Sequence, residues 1–361
     1  MPLSLRSNFP GGNARFETQS VQGDVTEVHF SAEPTGGSEA LWFNFTLAEP
    51  KPMENPPAGR KLKLVWRYFD GCCGASDAGA VRPVIKYTDQ DWVHLRIGRS
   101  ELQPDGQHWA SWDLDYPAPA IHLALGFPYD KDDAAQLIQK TRQYWHEDVI
   151  GLTQTARPMH RIASQYGTQG GTQPGIYIVA RAFPGEHPAS WVLDGLLGEM
   201  PRMKKQNALV WAVPFADPDG AHKGNYGRGG AFERPEWTVL RRDIQRWQGR
   251  CRPSIVLELQ AAKLDETEGV RAILSGEGGD AEKWANVIFD GLGPEYAAKA
   301  FKQQNKLLLS EPVARVAQAA GVPHLVLGIP WSTAGGKLLS RKSYREIGQR
   351  LASVISTRAQ I

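Results

Sequence analysis

The residues with chemical potential in this chain cluster where apolar segments give way to turns. Glu186 and His187 stand side by side after the apolar segment 175–183, and Asp217 and Asp219 follow the apolar segment 208–215. Asn225, Tyr226, Arg228, Glu233 and Arg234 come next, and Glu258 and Gln260 close the apolar segment 255–259. Carboxylate and imidazole are the groups that bind metals and move protons. Arginine's planar fork offers a carboxylate two parallel hydrogen bonds. The cysteines suggest less: Cys72 and Cys73 are adjacent in a glycine-rich stretch, Cys251 is alone, and no Cys-x-x-Cys pair occurs. The glycines of 170–175 and 276–279 match neither a phosphate-binding loop nor a dinucleotide fingerprint, and read as turns. His222 and His324 read as structural residues.

The elements that must position these groups fall into two halves. At 361 residues the chain is long for a single core, so two domains are expected. Segments 41–47, 62–69, 81–87, 92–97, 109–114 and 121–127 are short, rich in aromatic and β-branched residues, and separated by turn clusters. That spacing predicts an antiparallel β-sandwich over residues 1–128. After Pro128 the pattern changes. Asp130 can cap a helix that has Asp133 in its first turn and Ala134, Leu137 and Ile138 as its apolar stripe. The segments 175–183, 208–215, 255–259 and 325–329 are almost wholly apolar, as strands covered on both faces are. Helical stripes lie between them and at the end: Trp237, Leu240, Ile244 and Trp247, then Tyr344, Ile347, Leu351, Val354 and Ile355, with Ser340 as a possible cap. Residues 129–361 are therefore expected to form an α/β domain with a mixed, largely parallel sheet and helices on both faces. With 41% hydrophobic and 22% charged residues and a net charge of +2, nothing points to nucleic acid or an anionic membrane as a partner. No apolar run is long enough to span a bilayer, and the first ten residues lack the apolar core of a signal peptide, so a cytoplasmic location is expected.

The strand ends carry a resemblance. Ala180-Arg181-Ala182-Phe183-Pro184-Gly185-Glu186 resembles the zinc-binding turn of metallocarboxypeptidases, above all the cytosolic carboxypeptidase branch, which runs Ala-Arg-x-His-Pro-Gly-Glu. Asp217-Pro218-Asp219-Gly220 followed by Gly224-Asn225-Tyr226 is similar to the family's Asn-Pro-Asp-Gly and Gly-Asn-Tyr. Phe9-Pro10-Gly11-Gly12-Asn13, Trp42-Phe43 and Phe127-Pro128-Tyr129 resemble the β-sandwich domain of bacterial members, so the likeness covers nearly the whole chain. The resemblance implies a zinc peptidase, but this chain departs from it at the ligands. Phe183 stands at the first histidine, and only Glu186 of that pair is kept. The Asp-x-His strand end matches Glu258-Leu259-Gln260, which places Gln260 at the second histidine, and no histidine lies between His222 and His324. Gly328 falls at the general base, and glycine cannot take a proton from water. His187 and Glu258 are the available displaced ligands. A surface or helix-N-terminal histidine is the other reading of His187. Among substrate residues the resemblance implies Asn225, Tyr226, Arg228 and Arg234, with Arg234 recognising a peptide carboxylate. A salt bridge from Arg234 to Glu236 or Glu258 is the alternative.

The expectation is a metallocarboxypeptidase-like protein that is non-catalytic, with no cofactor, and that binds peptide C-termini or acidic side chains. Two alternatives stand beside it. One is an active zinc carboxypeptidase using Glu186, His187 and Glu258. The other is a scaffold whose β-sandwich is the working surface.

Overall fold

Alternating apolar and polar side chains build the first part of the chain, and continuous apolar strands build the second. The computed structural model describes residues 3–33, 42–50, 59–70, 77–88, 90–116, 120–203, 208–223, 234–274, 279–304 and 312–358. Two compact units emerge: Met1–Pro128 with Gly220–Gly227 and Lys263–Glu266, and Tyr129–Asp219 with Arg228–Ala262 and Thr267–Ile361. Cys72, Cys73, Asn225, Tyr226, Arg228 and Glu233 lie outside the described residues, as does most of the glycine-rich stretch at 276–279.

The first unit holds two five-stranded sheets. One comprises β1 (Ser4–Arg6), β4 (Asn44–Ala48), β10 (Ala120–Ala124), β6 (Val84–Tyr87) and β7 (Val93–His94), in that order and antiparallel throughout. The other runs β2 (Arg15–Gln22), β3 (Val25–Ser31), β5 (Lys61–Trp66), β9 (His108–Asp115) and β8 (Arg99–Leu102). Here β3 and β5 are parallel, which corrects the expectation of a wholly antiparallel sandwich. The reason is topological: β4, between them in sequence, belongs to the opposite sheet, so the chain crosses twice and returns in its first direction. Aromatic residues join the two sheets. Phe30 of β3 meets Phe45 of β4 at 4.8 Å, and Phe43 meets Trp66 of β5 edge-on at 4.9 Å, all of them buried. The strands β1, β2, β3 and β8 were not expected. β2 and β8 are largely exposed edge strands, so burial imposes little apolar alternation on them.

The second unit is an eight-stranded mixed sheet in the order β11 (His146–Leu152), β12 (Pro158–Ala163), β14 (Leu209–Val213), β13 (Pro174–Ala180), β15 (Arg252–Ala261), β18 (His324–Ile329), β16 (Val270–Leu274) and β17 (Ala297–Gln304). Its centre, β14–β13–β15–β18, is parallel, as is β16–β17. The joins β11–β12, β12–β14 and β18–β16 are antiparallel. The hairpin β11–β12 replaces the strict strand–helix alternation expected after the first helix. Helices α1 (Lys131–Thr141), α2 (His187–Glu199), α3 (Pro235–Gln248), α4 (Gly279–Leu292), α5 (Pro312–Ala319) and α6 (Arg341–Arg358) flank the sheet. Asp130 caps α1 in a reciprocal box with Asp133, and Ser340 Oγ accepts from Ser343 N at the start of α6.

One face of the sheet, with Tyr177, Val179, Trp211, Val213 and Val256, packs on α3 and α5 through Leu240, Ile244, Trp247, Val313 and Ala317. Helix α2, whose first turn carries Glu186 and His187, is fixed by α6. A Cβ on Gly195 would overlap the Arg345 carbonyl, and one on Gly348 would overlap the Val192 carbonyl. Glycine at both positions lets the two backbones touch. No described helix is long and apolar enough to cross a membrane.

His122 on β10 offers a test of the first unit. Its Nε2 meets Asn44 Oδ1 at 2.7 Å, and its ring contacts those of Phe9 and Trp92. Burial, aided by the charge of Lys86, lowers its pKa from 6.5 to about 4. The unfolded chain therefore takes up the proton first. Stability from this site is full above pH 6.5 and is lost as pH falls toward about 4. Replacing His122→Gln is expected to flatten the melting temperature between those pH values, as thermal unfolding across that range would show.

Candidate functional site

The site begins with a strained residue. β13 ends at Ala180, and Arg181 next to it has φ 54°, the left-handed region, which costs a residue with a Cβ on the order of 1 kcal/mol. Two backbone bonds hold it there: Ala216 N donates to the Ala180 carbonyl and Asp217 N to the Arg181 carbonyl, both at 3.0 Å. The chain then closes a tight turn. Phe183 N donates to Glu186 Oε2 at 3.0 Å, Glu186 N to the Phe183 carbonyl at 3.3 Å, and His187 N to the Gly185 carbonyl at 2.8 Å. The Glu186 carboxylate is thus folded back on its own turn, and it also accepts from the backbone of Ala261.

Glu186 is buried, and its pKa is raised well above the ordinary carboxylate value, first by burial and then by the charge of Glu258. Arg181, 1% exposed, is the nearby cation; burial lowers its pKa to about 10 against the pull of Glu186 and Asp217. His187 is buried too, which corrects the reading of it as a surface residue, though it does open the helix. Its Nδ1 accepts from Tyr129 N at 2.8 Å, and burial, with Arg181's charge, holds the imidazole well below its usual pKa. The ring is therefore neutral and oriented by the backbone at Tyr129.

The opposite wall comes from β15 and β18. In their parallel register Glu258 lies beside Val326 and Gln260 beside Gly328. Alternation puts Glu258 and Gln260 on one face. Gln260 Nε2 donates to Glu258 Oε1 at 2.8 Å, and His324 Nε2 meets Glu258 Oε2 at 3.0 Å. His324, read from sequence as merely structural, is thus the partner of a buried acid. Parallel pairing of 255–259 with 325–329 is the signal that could have found it. Gln260 and Gly328, matched by the resemblance to the second histidine and the general base, are neighbours across one ladder. Glu186, His187 and Glu258 do not gather as a ligand set: one carboxylate faces its own turn, the imidazole faces Tyr129, and the other carboxylate faces Gln260 and His324. Among the described residues no three His, Cys, Asp or Glu side chains form a group that could hold a metal.

Arg234 precedes α3 and is committed within the protein. Its Nη1 and Nη2 donate to the two oxygens of Asp217 at 3.0 and 2.5 Å, and its Nε donates to Glu236 Oε2 at 3.3 Å. Burial works against the guanidinium's charge, but Asp217 and then Glu236 outweigh it and raise its pKa. The salt-bridge alternative is therefore what forms, with Asp217 and Glu236 rather than Glu258. Asp219 acts in the same way on the β11–β12 turn, accepting from Thr153 Oγ1 at 2.9 Å, Thr155 N at 3.1 Å and Arg157 Nη1 at 3.1 Å. Both acids of Asp217-Pro218-Asp219 are structural clamps. Cys251 is buried and donates to the Trp247 carbonyl.

No family model matches the chain. In sequence it is similar to cytosolic carboxypeptidase 6 of Caenorhabditis elegans, 25% identical over 263 residues, which is 62% of this chain and 54% of that protein. It is also similar to cytosolic carboxypeptidase 1 of Mus musculus, 21% identical over 272 residues, 62% of this chain and 21% of that one. The chain thus spans about half, or less, of the length of these curated relatives. Among solved structures it resembles a metallo-carboxypeptidase from Burkholderia cenocepacia, with a TM-score of 0.79 at 17% identity and 99% of each chain covered. A metallo-carboxypeptidase from Pseudomonas aeruginosa in complex with (2-guanidinoethylmercapto)succinic acid gives a TM-score of 0.77 at 16% identity, again over 99% of each. The fold is that of the metallo-carboxypeptidases, and in sequence the chain is similar to cytosolic carboxypeptidases.

The Arg234–Asp217 pair supplies a direct test. Arg234→Gln strands a buried carboxylate, so it is expected to cost about 3 kcal/mol in urea unfolding. Adding Asp217→Asn to it should cost less than the sum of the two single changes.

Proposed function

We propose that this chain is a metallocarboxypeptidase-like protein without peptidase chemistry. The observation that carries the reading is the donor set at the zinc position. A catalytic zinc takes three protein ligands and keeps a fourth position for water. Phe183 has no lone pair to offer. Gln260 could present only an amide oxygen, and its Nε2 is already given to Glu258. Glu186 is spent on its own turn and on Ala261. These residues do not fit the ion, and Gly328 has no group to take a proton from water. A cytoplasmic location belongs to the same proposal, in line with the names of the relatives.

Peptide-end recognition through Arg234 is not part of this reading. Three of the guanidinium's five N–H groups are donated to buried carboxylates, and an arriving peptide carboxylate would compete with both. No observation favours the rearranged zinc enzyme.

Metal content and hydrolysis test the proposal together. After exposure to zinc and gel filtration, elemental analysis is expected to find well under one equivalent. Chelator-sensitive release of C-terminal residues from peptides is expected to be absent. One equivalent of zinc with such release would overturn the reading. A complementary expectation concerns restoration. A Cβ at Gly328 would meet Ala262 Cβ at 3.5 Å and Ile273 Cδ1 at 3.7 Å, ordinary contacts, so the position accepts a side chain. Phe183→His, Gln260→His and Gly328→Glu together are expected to confer zinc binding measurable by titration calorimetry.

A further inference from the structure

The second unit has a concave site at the end of its strands opposite Glu186. A cavity of about 430 Å³ is lined by Asp148, Arg161, Tyr166, Trp211, Arg246 and Arg250, among others. Tyr166 precedes β13 and Arg250 precedes β15, whereas Glu186 follows β13 and Gln260 lies near the end of β15. A strand of this length, at about 3.3 Å per residue, separates the two sites by roughly 20 Å. The volume lies in the range that holds small ligands.

Three arginines meet there, and their charges are only partly met. Arg161 is buried, with its guanidinium 3.7 Å from the centre of the Trp211 ring. Its Nη1 donates to Asp243 Oδ1 at 2.7 Å and its Nη2 to Asp148 Oδ2 at 2.5 Å. The Nε–H has no acceptor among the described residues, which is costly for a buried donor. Arg250 donates to the carbonyls of Tyr166 and Gly167, which carry no charge. Arg246, exposed on α3, makes no ion pair among the described residues, and Arg242 lies one turn before it on the same face. Against Arg161, Arg246 and Arg250 stand Asp148 and Asp243, which leaves the cavity net positive. Tyr166 is 44% exposed, and its ring stacks on His146 at 5.4 Å. It therefore offers an aromatic surface beside the arginines.

We propose that this cavity binds a small oxyanion, a carboxylate or a phosphate monoester, attached to an aromatic body. Arg246 and Arg250 hold the anionic head, and the aromatic part lies against Tyr166. The proposal is independent of whether zinc binds at Glu186, since no residue is shared.

Titration calorimetry of the full chain with phenyl phosphate, inorganic phosphate and phenol tests it. Phenyl phosphate is expected to bind more tightly than either of the others, and its affinity should fall as salt is raised. Arg246→Gln, a change at an exposed position, is expected to weaken phenyl phosphate about tenfold, as loss of one charge-assisted contact does. Tyr166→Ala should weaken phenyl phosphate but leave inorganic phosphate unchanged. Arg202→Gln, an exposed arginine elsewhere, should change neither. Failure of phenyl phosphate to bind, or equal binding by the wild type and Arg246→Gln, overturns the proposal. An equal loss in Arg202→Gln also overturns it, because the effect would then be one of overall charge.

Discussion

Two buried carboxylates dictate much of the second unit. Glu186 and Glu258 are both almost fully excluded from water, and the charge of Glu258 adds to the cost of charging Glu186. In a metal centre a divalent cation would answer that repulsion. Among the described residues, side chains and backbone meet part of it. Arg181 supplies a cation, Phe183 N and Ala261 N bond Glu186, and Gln260 and His324 bond Glu258. The glutamine is well chosen for this: its amide N–H₂ can donate to a carboxylate at any pH. Phe183 packs against the apolar cluster under α3 and α5.

That arrangement requires its elements to be held closely. The left-handed Arg181 persists because the segment after β14 grips its carbonyl through Asp217 N, and Asp217 is in turn locked to Arg234. From the other side, the contact between Gly195 and Gly348 sets α2 against α6, and Asp194 of α2 takes bonds from Tyr129 and Arg345. A small shift in either would move Glu186 away from the bonds that make its burial tolerable. The motif Asp217-Pro218-Asp219 therefore fixes this turn through structural pairing.

The packing of the sheet's core is remote from the turns at the strand ends. Tyr177, Val179, Trp211 and Val256 pack together in that core. That packing leaves other surfaces of the fold open to recognition, such as the arginine-lined hollow at the starts of the strands.

Several features were determined by the sequence alone. Apolar strands at 175–183, 208–215, 255–259 and 325–329 could only be the buried centre of a sheet, since any exposed face would waste them. The caps at Asp130 and Ser340 follow from local hydrogen bonding, and the absence of a lone pair at Phe183 or of a proton acceptor at Gly328 is a property of the residue itself. Edge strands such as β2, β8 and β11 were hidden, because a strand half open to water needs no strict pattern. The parallel β3–β5 pair was hidden because its cause is a crossing between sheets. Only the tertiary structure decided the partners of charge: that Arg234 belongs to Asp217, that His324 answers Glu258, and that His187 faces Tyr129. Each of those pairs joins residues from different elements, and the choice among competing acids and bases is made by distance and burial, which a linear order of residues does not contain.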